Sequence, residues 1–333
     1  MSAARSSTGT ETTATADQPA AERRPPAGYV GRFAPSPTGD LHLGSLYSAA
    51  ASYLEARARG GRWLVRMEDV DRPREVAGSS ARILSTLETF GFQWDGEILR
   101  QSQRGEAYRA ALDELRRRGL TFECSCSRLA LAGEERYPGH CRAGPRERGA
   151  STATRLRVDP GEVRFADRIQ GLQAQDVSCA SGDLVIRRRD GFFAYLLAVV
   201  VDDAFQGVTE VVRGADLLEH TPGQIYLQRR LNLATPAYAH VPALVEADGA
   251  KLAKSARSVP LDAAAALPQL LYVFELLGLA PAPPLAGANI DGAWAWAIER
   301  WSIDRVPRKA ALPLPPGQHP EISYSGVGKR GLP

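Results

Sequence analysis

Gly31-Arg32-Phe33-Ala34-Pro35-Ser36-Pro37-Thr38-Gly39-Asp40-Leu41-His42-Leu43-Gly44 is the stretch on which the reading of this chain turns. The apolar run Tyr29–Phe33 predicts a short buried strand, and Gly44–Arg59, rich in Ala and Leu, predicts a helix. Pro35 and Pro37 stiffen the loop between them, while Gly39 and Gly44 let backbone approach a ligand closely. A strand that turns directly into a helix start presents unpaired N–H donors and the positive end of the helix dipole, which suits phosphate. His42 stands in that turn as a candidate donor to a phosphate oxygen. Taken alone, a His-x-Gly before a helix is a weak signal.

Working outward, Arg62–Arg66 predicts a second strand, ending in the polar group Glu68, Asp69, Asp71 and Arg72. Helical patterns follow over Ser79–Phe90 and Arg104–Arg118, with Gly91 and Gly119 as stop signals. Residues 120–175 break this rhythm with cysteines, many Gly and Arg, and short strand-like pieces, and read as an insertion. The pattern resumes with strand Leu184–Arg188, helix Phe193–Asp202, strand Thr209–Arg213, helix Leu217–Leu231 and strand Tyr238–Val245. Helical segments near Leu267–Leu277 and Ala293–Trp301 come last. Alternating strand and helix predict an α/β fold with a doubly wound parallel sheet of the Rossmann type. The expected layout is a disordered tail over 1–27 and the two halves of a catalytic domain over 28–119 and 176–256. The insertion over 120–175 separates those halves, a short helical appendix covers 257–311, and a disordered Pro-rich tail covers 312–333.

Composition is that of a globular chain, 44% hydrophobic and 24% charged, with a net charge of only +3. The clusters Arg116-Arg117-Arg118, Arg187-Arg188-Arg189 and Arg229-Arg230 are compatible with a phosphate-rich ligand and equally with solvated helix faces. The longest apolar run, Phe192–Val201, is too short to span a bilayer and reads as core, and residues 1–27 contain nothing like a signal peptide. Cys124, Cys126 and Cys141 lie within eighteen residues on a loop that can bury little, which points to a structural zinc ion in a reducing, cytoplasmic compartment. Tyr137 and His140 both stand close enough in sequence to supply the fourth ligand, and spacing does not choose between them. Cys179 stands alone and is expected to be a core thiol.

The opening stretch acquires its meaning from Lys251-Leu252-Ala253-Lys254-Ser255, on a loop after the last strand. Together the two motifs resemble the class I aminoacyl-tRNA synthetases of the glutamyl/glutaminyl group. The HIGH signature of that group stands here as His42-Leu43-Gly44-Ser45 and its KMSKS signature as Lys251-Leu252-Ala253-Lys254-Ser255, with Ala253 in place of a serine. The resemblance covers about residues 29–256. It implies a HIGH-type catalytic domain in which glutamate attacks the α-phosphate of Mg-ATP to give glutamyl-adenylate without needing tRNA. It implies that His42 and Lys254 are catalytic and that ATP is held by His42, Gly44, Lys251, Lys254 and Ser255. It also implies a glutamate pocket of Arg32, Phe33, Ala34, Pro35 and Ser36 with Glu68 on the substrate ammonium and Tyr195 and Arg213 on its carboxylates. Guanidinium binds carboxylate bidentately, which agrees with an arginine in that role. The Cys-x-Cys…Tyr-x₃-Cys pattern of the group selects Tyr137 as the fourth zinc ligand, with His140 as the runner-up.

Departures from the group narrow the expectation. Val199 replaces a usual asparagine, and Arg213-Gly214-Ala215-Asp216-Leu217 replaces Arg-Gly-Glu-Asp-His. Only 78 residues follow Ser255, which leaves no room for an anticodon-reading domain. These features resemble a paralogue within the group, whose acceptor is the queuosine at the wobble position of tRNA(Asp), so that the catalytic cleft receives an anticodon loop; a monomer is the simplest expectation. The alternatives are an enzyme that charges the 3′ end of tRNA(Glu), another HIGH-type nucleotidyltransferase, and a non-catalytic RNA-binding relative. Lys254→Ala is expected to fold normally and to lose about 10²–10³ in adenylate formation, measured by pyrophosphate exchange, as for removal of one fixed donor to developing phosphate charge.

Overall fold

The computed structural model of the chain describes residues 28–246, Gly249, 261–279 and 289–314. Strands β1 (Val30–Phe33), β2 (Arg62–Met67) and β3 (Leu99–Arg100) pair in parallel, with α1 (Leu43–Ala58) joining the first two and α2 (Ser79–Thr89) following β2. After α3 (Gly105–Arg117) come β4 (Thr121–Cys124), β5 (Ala153–Leu156), the hairpin β6 (Glu162–Asp167) and β7 (Gly171–Asp176), and a one-turn helix α4 (Val177–Ala180). Strand β8 (Leu184–Arg187), α5 (Tyr195–Phe205) and β9 (Glu210–Gly214) follow, and a 3-10 turn at Ala215–His220 runs into α6 (Thr221–Arg230). Strands β10 (Ala237–Val241) and β11 (Ala243–Val245), helices α7 (Ala266–Leu276) and α8 (Ile290–Arg300), and β12 (Ala311–Pro313) complete the described chain.

Two sheets form the α/β core, in the orders β1-β2-β3 and β7-β6-β10-β9, with β10 parallel to both β9 and β6. Thr209 stitches them side by side: its N–H donates to the Val30 carbonyl at 2.9 Å, and its hydroxyl accepts from Val30 N–H at 2.9 Å. From β1 the chain winds outward through α1 to β2, and from β9 it winds the other way through α6 to β10. The junction of β1 and β9 is therefore the topological switch point, where an open parallel sheet places its ligand. Both faces of the sheet are covered, because successive residues point to opposite sides. Val212 and Ala239 join a core with α1, α7 and α8, whereas Val211 and Tyr238 join one with α3, α5 and α6.

The structure corrects several expectations. β8, read as part of the main sheet, instead pairs antiparallel with β5 in a separate sheet ordered β4-β5-β8. β6 and β7, within the stretch read as an insertion, extend the main sheet. Periodicity identifies a strand but not its partner, so neither pairing was available from local pattern. The tail expected from residue 312 is ordered at its start, where β12 pairs in parallel with β11 and Leu314 is buried. Cys179 is exposed rather than a core thiol. The expected tails over 1–27 and beyond Leu314, and the lysine loop, lie outside the described residues.

The helices near the C-terminus are fastened to the first half by aromatic packing. Trp294 of α8 packs edge-on against Tyr53, Phe92 and Phe274, with ring centroids 4.7, 4.9 and 5.1 Å away. Its indole N–H donates to the Phe90 carbonyl at 2.9 Å. Gly91, which ends α2 at φ +75°, lies so close that an added Cβ would meet Ile290 at 2.4 Å. Trp294→Ala is expected to cost about 3–5 kcal/mol, read as a lower urea midpoint with unchanged far-UV dichroism before the transition.

Candidate active site

A cleft of about 770 Å³ opens at the carboxyl ends of β1, β2 and β9. The loop after β1 forms one wall and passes straight into α1, whose N-cap is His42. The His42 Nδ1 accepts from Ser45 N–H at 3.3 Å, so its remaining proton sits on Nε2, which has no partner among the described residues. Burial lowers the pKa of His42 more than nearby Asp216 raises it, so the ring is neutral at neutral pH. Gly44, in the first turn of α1, also lines the cleft; Lys251, Lys254 and Ser255 lie outside the described residues. The loop is held to its neighbours by the Pro35 carbonyl, which accepts from Glu68 N–H at 2.9 Å, and the Pro37 carbonyl, which accepts from Val76 N–H at 2.9 Å.

All eight residues expected around an amino acid line this one cleft: Arg32, Phe33, Ala34, Pro35, Ser36, Glu68, Tyr195 and Arg213. Arg32 and Glu68 belong to a buried ionic cluster that joins the halves of the chain. Asp203 Oδ1 on α5 accepts from Arg32 Nε at 3.2 Å and from Arg66 Nη1 at 2.7 Å, and Arg66 Nη2 reaches Glu68 Oε1 at 3.4 Å. Gln206 takes a second bond from Arg66 at 2.8 Å. Burial pushes the Asp203 carboxyl up, but Arg32 and Arg66 outweigh it and hold the group below its usual range. Glu68 goes the other way: burial raises its carboxyl to about 7, against the opposing pull of Arg66 and Arg32. Tyr195, at the start of α5, is raised to about 12 by burial and then by Glu68. Its phenol is therefore a hydrogen-bond donor at neutral pH.

Arg213, at the end of β9, is only 5% exposed and is held by neutral groups. Its Nε donates to His240 Nε2 at 3.0 Å, and Nη2 donates to Thr221 Oγ1 and Gln224 Oε1, both at 2.8 Å. Nη1 has no partner, and no carboxylate pairs with this guanidinium among the described residues. A buried cation with an open donor in a cleft wall calls for an anionic ligand group. His240 and its own partner Asp167 escaped the sequence reading; a lone histidine in the apolar strand around Tyr238–Val241 was the available signal. The cleft also contains Leu217, one of the positions where the segment after Arg213 departs from the resembling group.

A second cluster sits beside the antiparallel sheet. The sulfurs of Cys124, Cys126 and Cys141 lie within 4.8 Å of one another, with Cys126 and Cys141 3.6 Å apart. A tetrahedron with 2.3 Å metal–sulfur arms has edges of about 3.8 Å, so the spacing suits one zinc ion. The Tyr137 hydroxyl lies 3.4 Å from Cys124 Sγ and accepts from Cys141 N–H at 2.9 Å, whereas His140 turns its Nδ1 to Arg146 at 3.0 Å. Of the two expected fourth ligands, Tyr137 is the one brought to the sulfurs. Gly182, at φ +69°, makes this possible, because an added Cβ would stand 2.2 Å from the Tyr137 carbonyl oxygen. Arg142, next to Cys141, clamps Asp183 with bonds of 2.8 and 2.6 Å and so ties the cluster to β8.

A family model described as the catalytic domain of tRNA synthetases class I (E and Q) matches residues 29–266, and the chain belongs to that family. A relative named glutamyl-Q tRNA(Asp) synthetase, from Pseudomonas aeruginosa, is 54% identical over 286 residues, covering 86% of this chain and 97% of the relative. Another of that name, from Dechloromonas aromatica, is 51% identical over 296 residues, covering 86% of this chain and 98% of the relative. Among solved structures, a glutamate tRNA ligase from Elizabethkingia meningosepticum, in complex with its amino acid, superposes with a TM-score of 0.70 at 22% identity. That match covers 85% of this chain and 66% of the ligase, so the chain spans about two thirds of the ligase's length, and it shows a shared fold.

The raised Glu68 carboxyl has a sign that stability can test. The folded state binds the proton more tightly than the unfolded chain does, so this group's contribution is complete below the unfolded pKa of about 4.3. It is lost as pH rises through about 7. Urea unfolding of Glu68→Gln minus wild type should show a difference that grows in the variant's favour between about pH 5 and pH 8.

Proposed function

We propose that this chain is a ligase that activates L-glutamate with Mg-ATP, without needing tRNA, and transfers the glutamyl group to the queuosine at the wobble position of tRNA(Asp). The observation that carries the glutamate half is the pairing, in one cleft, of buried Glu68 with the uncompensated Arg213. A substrate with one ammonium and two carboxylates matches that arrangement: the ammonium meets Glu68, and a carboxylate meets Arg213 with the Tyr195 hydroxyl beside it. Phe33, Ala34, Pro35 and Ser36 shape the wall between them. The acceptor half rests on the names of relatives that match over 97% and 98% of their own lengths.

In the first step an oxygen of the glutamate α-carboxylate attacks the α-phosphorus of ATP, and the bond to pyrophosphate breaks. The neutral His42 donates from Nε2 to a phosphate oxygen, and the N–H groups around Gly44 add the field of the α1 N-terminus. Lys254, with Lys251 and Ser255, takes the charge that builds on the leaving pyrophosphate. Magnesium supplies further neutralisation of the triphosphate. In the second step a hydroxyl of the queuosine cyclopentene-diol attacks the acyl carbon, its proton leaves to solvent or phosphate, and AMP departs. A monomer is the simplest state for this reading, and the substrates place the reaction in the cytoplasm. No helix among the described residues is long and apolar enough to cross a membrane.

Within this reading two catalytic halves, 28–119 and 176–256, flank residues 120–175, whose cysteine cluster binds zinc and whose β6–β7 hairpin extends the main sheet, with a helical appendix over 257–311. The zinc ion is structural, held by Cys124, Cys126, Tyr137 and Cys141, because protein ligands fill all four positions. Pyrophosphate exchange should proceed with glutamate in the absence of tRNA, and labelled glutamate should appear on queuosine-containing tRNA(Asp) but not on the same tRNA lacking queuosine. Exchange that strictly requires tRNA(Glu) would instead identify an enzyme charging a 3′ end. Elemental analysis should find one zinc per chain, and Cys141→Ser should lose it together with part of the thermal stability.

A further inference from the structure

We propose that Asp167 and His240 act on the substrate through Arg213: Asp167 fixes one tautomer of His240, and His240 then orients Arg213 without neutralising it. This inference rests on the reading above that Arg213 receives a substrate carboxylate. It concerns how the pocket keeps that arginine both rigid and fully charged.

The tautomer follows from two partners that each act in one direction only. Asp167 Oδ2 lies 2.6 Å from His240 Nδ1, and a carboxylate can only accept, so the ring proton sits on Nδ1. Arg213 Nε lies 3.0 Å from His240 Nε2, and a guanidinium can only donate, so Nε2 is bare. Both side chains of the dyad are fully buried. Asp167 is itself locked, its Oδ1 accepting from the N–H groups of Ile169 at 3.0 Å, Gln170 at 2.8 Å and His240 at 3.1 Å. Burial lowers the His240 pKa further than Asp167 raises it, which agrees with a neutral ring.

The choice of acceptor matters because of what it leaves on Arg213. His240, Thr221 and Gln224 fix the guanidinium plane through Nε and Nη2, and none of the three carries a charge. A carboxylate placed directly against Nε would orient the group equally well, but it would neutralise the cation before substrate arrived. The interposed imidazole keeps the Asp167 charge one ring away. Nη1 is left as the open donor, and a side-chain carboxylate satisfies both its hydrogen-bonding capacity and the charge. A side-chain amide satisfies only the first, so the same arrangement favours glutamate over glutamine.

Asp167→Asn separates this role from a merely structural one. The amide oxygen can still accept from the three backbone N–H groups, while its N–H₂ faces His240 Nδ1 and drives the ring proton to Nε2, donor against donor with Arg213. Nitrogen-15 NMR of the ring should show the proton moving from Nδ1 to Nε2. In pyrophosphate exchange the KM for glutamate should rise about 10- to 100-fold, the size of one misplaced charge-assisted hydrogen bond, with kcat and the KM for ATP little changed. The preference for glutamate over glutamine should fall in parallel. His240→Gln, which can return an acceptor to Arg213 Nε, should recover most of the glutamate KM, and His240→Leu should not. A folded Asp167→Asn variant with the wild-type glutamate KM overturns the proposal, as does equal behaviour of His240→Gln and His240→Leu. If Asp167→Asn does not fold, the two His240 variants decide. Arg213→Lys serves as the control: an unchanged glutamate KM there removes the reading of Arg213 itself, whereas a raised KM there with neither Asp167→Asn nor His240→Leu affected removes only the relay.

Discussion

One carboxylate holds the site together. Asp203 comes from the second half of the chain, and the two guanidiniums it receives, Arg32 and Arg66, come from neighbouring strands of the first half. All three are nearly or wholly buried, so removing Asp203 would strand two cations away from water, a loss of the kind that costs about 3–5 kcal/mol. The bond thereby fixes the spacing of β1, β2 and α5 at the mouth of the cleft. Burial is the first cause of the raised Glu68 carboxyl, and the Asp203 charge adds to it against the pull of Arg66 and Arg32. Glu68 is consequently a carboxyl that an arriving ammonium would stabilise in its charged form.

The cleft is polarised by this arrangement. At one side the helix start at His42 offers a neutral ring and backbone donors, suited to phosphate oxygens that gain charge during the proposed adenylation. At the other side Arg213 is oriented by neutral acceptors and lacks a carboxylate partner among the described residues. Glu68 and Tyr195 line the same cleft. Of these groups, Arg213 keeps one donor, Nη1, without a partner among the described residues. Their electrostatic preference is the physical content of the proposed specificity, and it depends on buried partners more than on the residues that touch the ligand.

Much of this was legible locally. The strand, loop and helix start around Arg32–Gly44 are contiguous, so the site's phosphate side could be read from neighbours in sequence, and β1, β2, β9 and β10 with their helices follow from periodicity, whereas β3, β6 and β7 do not. Glu68, Tyr195 and Arg213 were reached through resemblance to a family, and the fold then gathers them with Arg32–Ser36 around one cleft. What escaped was information carried by distant pairs. Asp167 and His240 are 73 positions apart, and neither has a local pattern that names the other. The pairing of β8 with β5 was equally invisible, because alternation does not encode a partner. For the cysteine cluster, spacing left Tyr137 and His140 open and only the resemblance favoured Tyr137, whose hydroxyl lies 3.4 Å from Cys124 Sγ.

In the proposed mode of binding, Arg213 receives the carboxylate of an amino acid whose ammonium sits on Glu68. A crystal structure of the protein with bound L-glutamate addresses this directly. A glutamate carboxylate is expected within hydrogen-bonding distance of Arg213 Nη1, with the ammonium on Glu68 and an unbroken chain from Arg213 through His240 to Asp167. Glutamate bound elsewhere in the cleft, with Nη1 still unpaired, would contradict it.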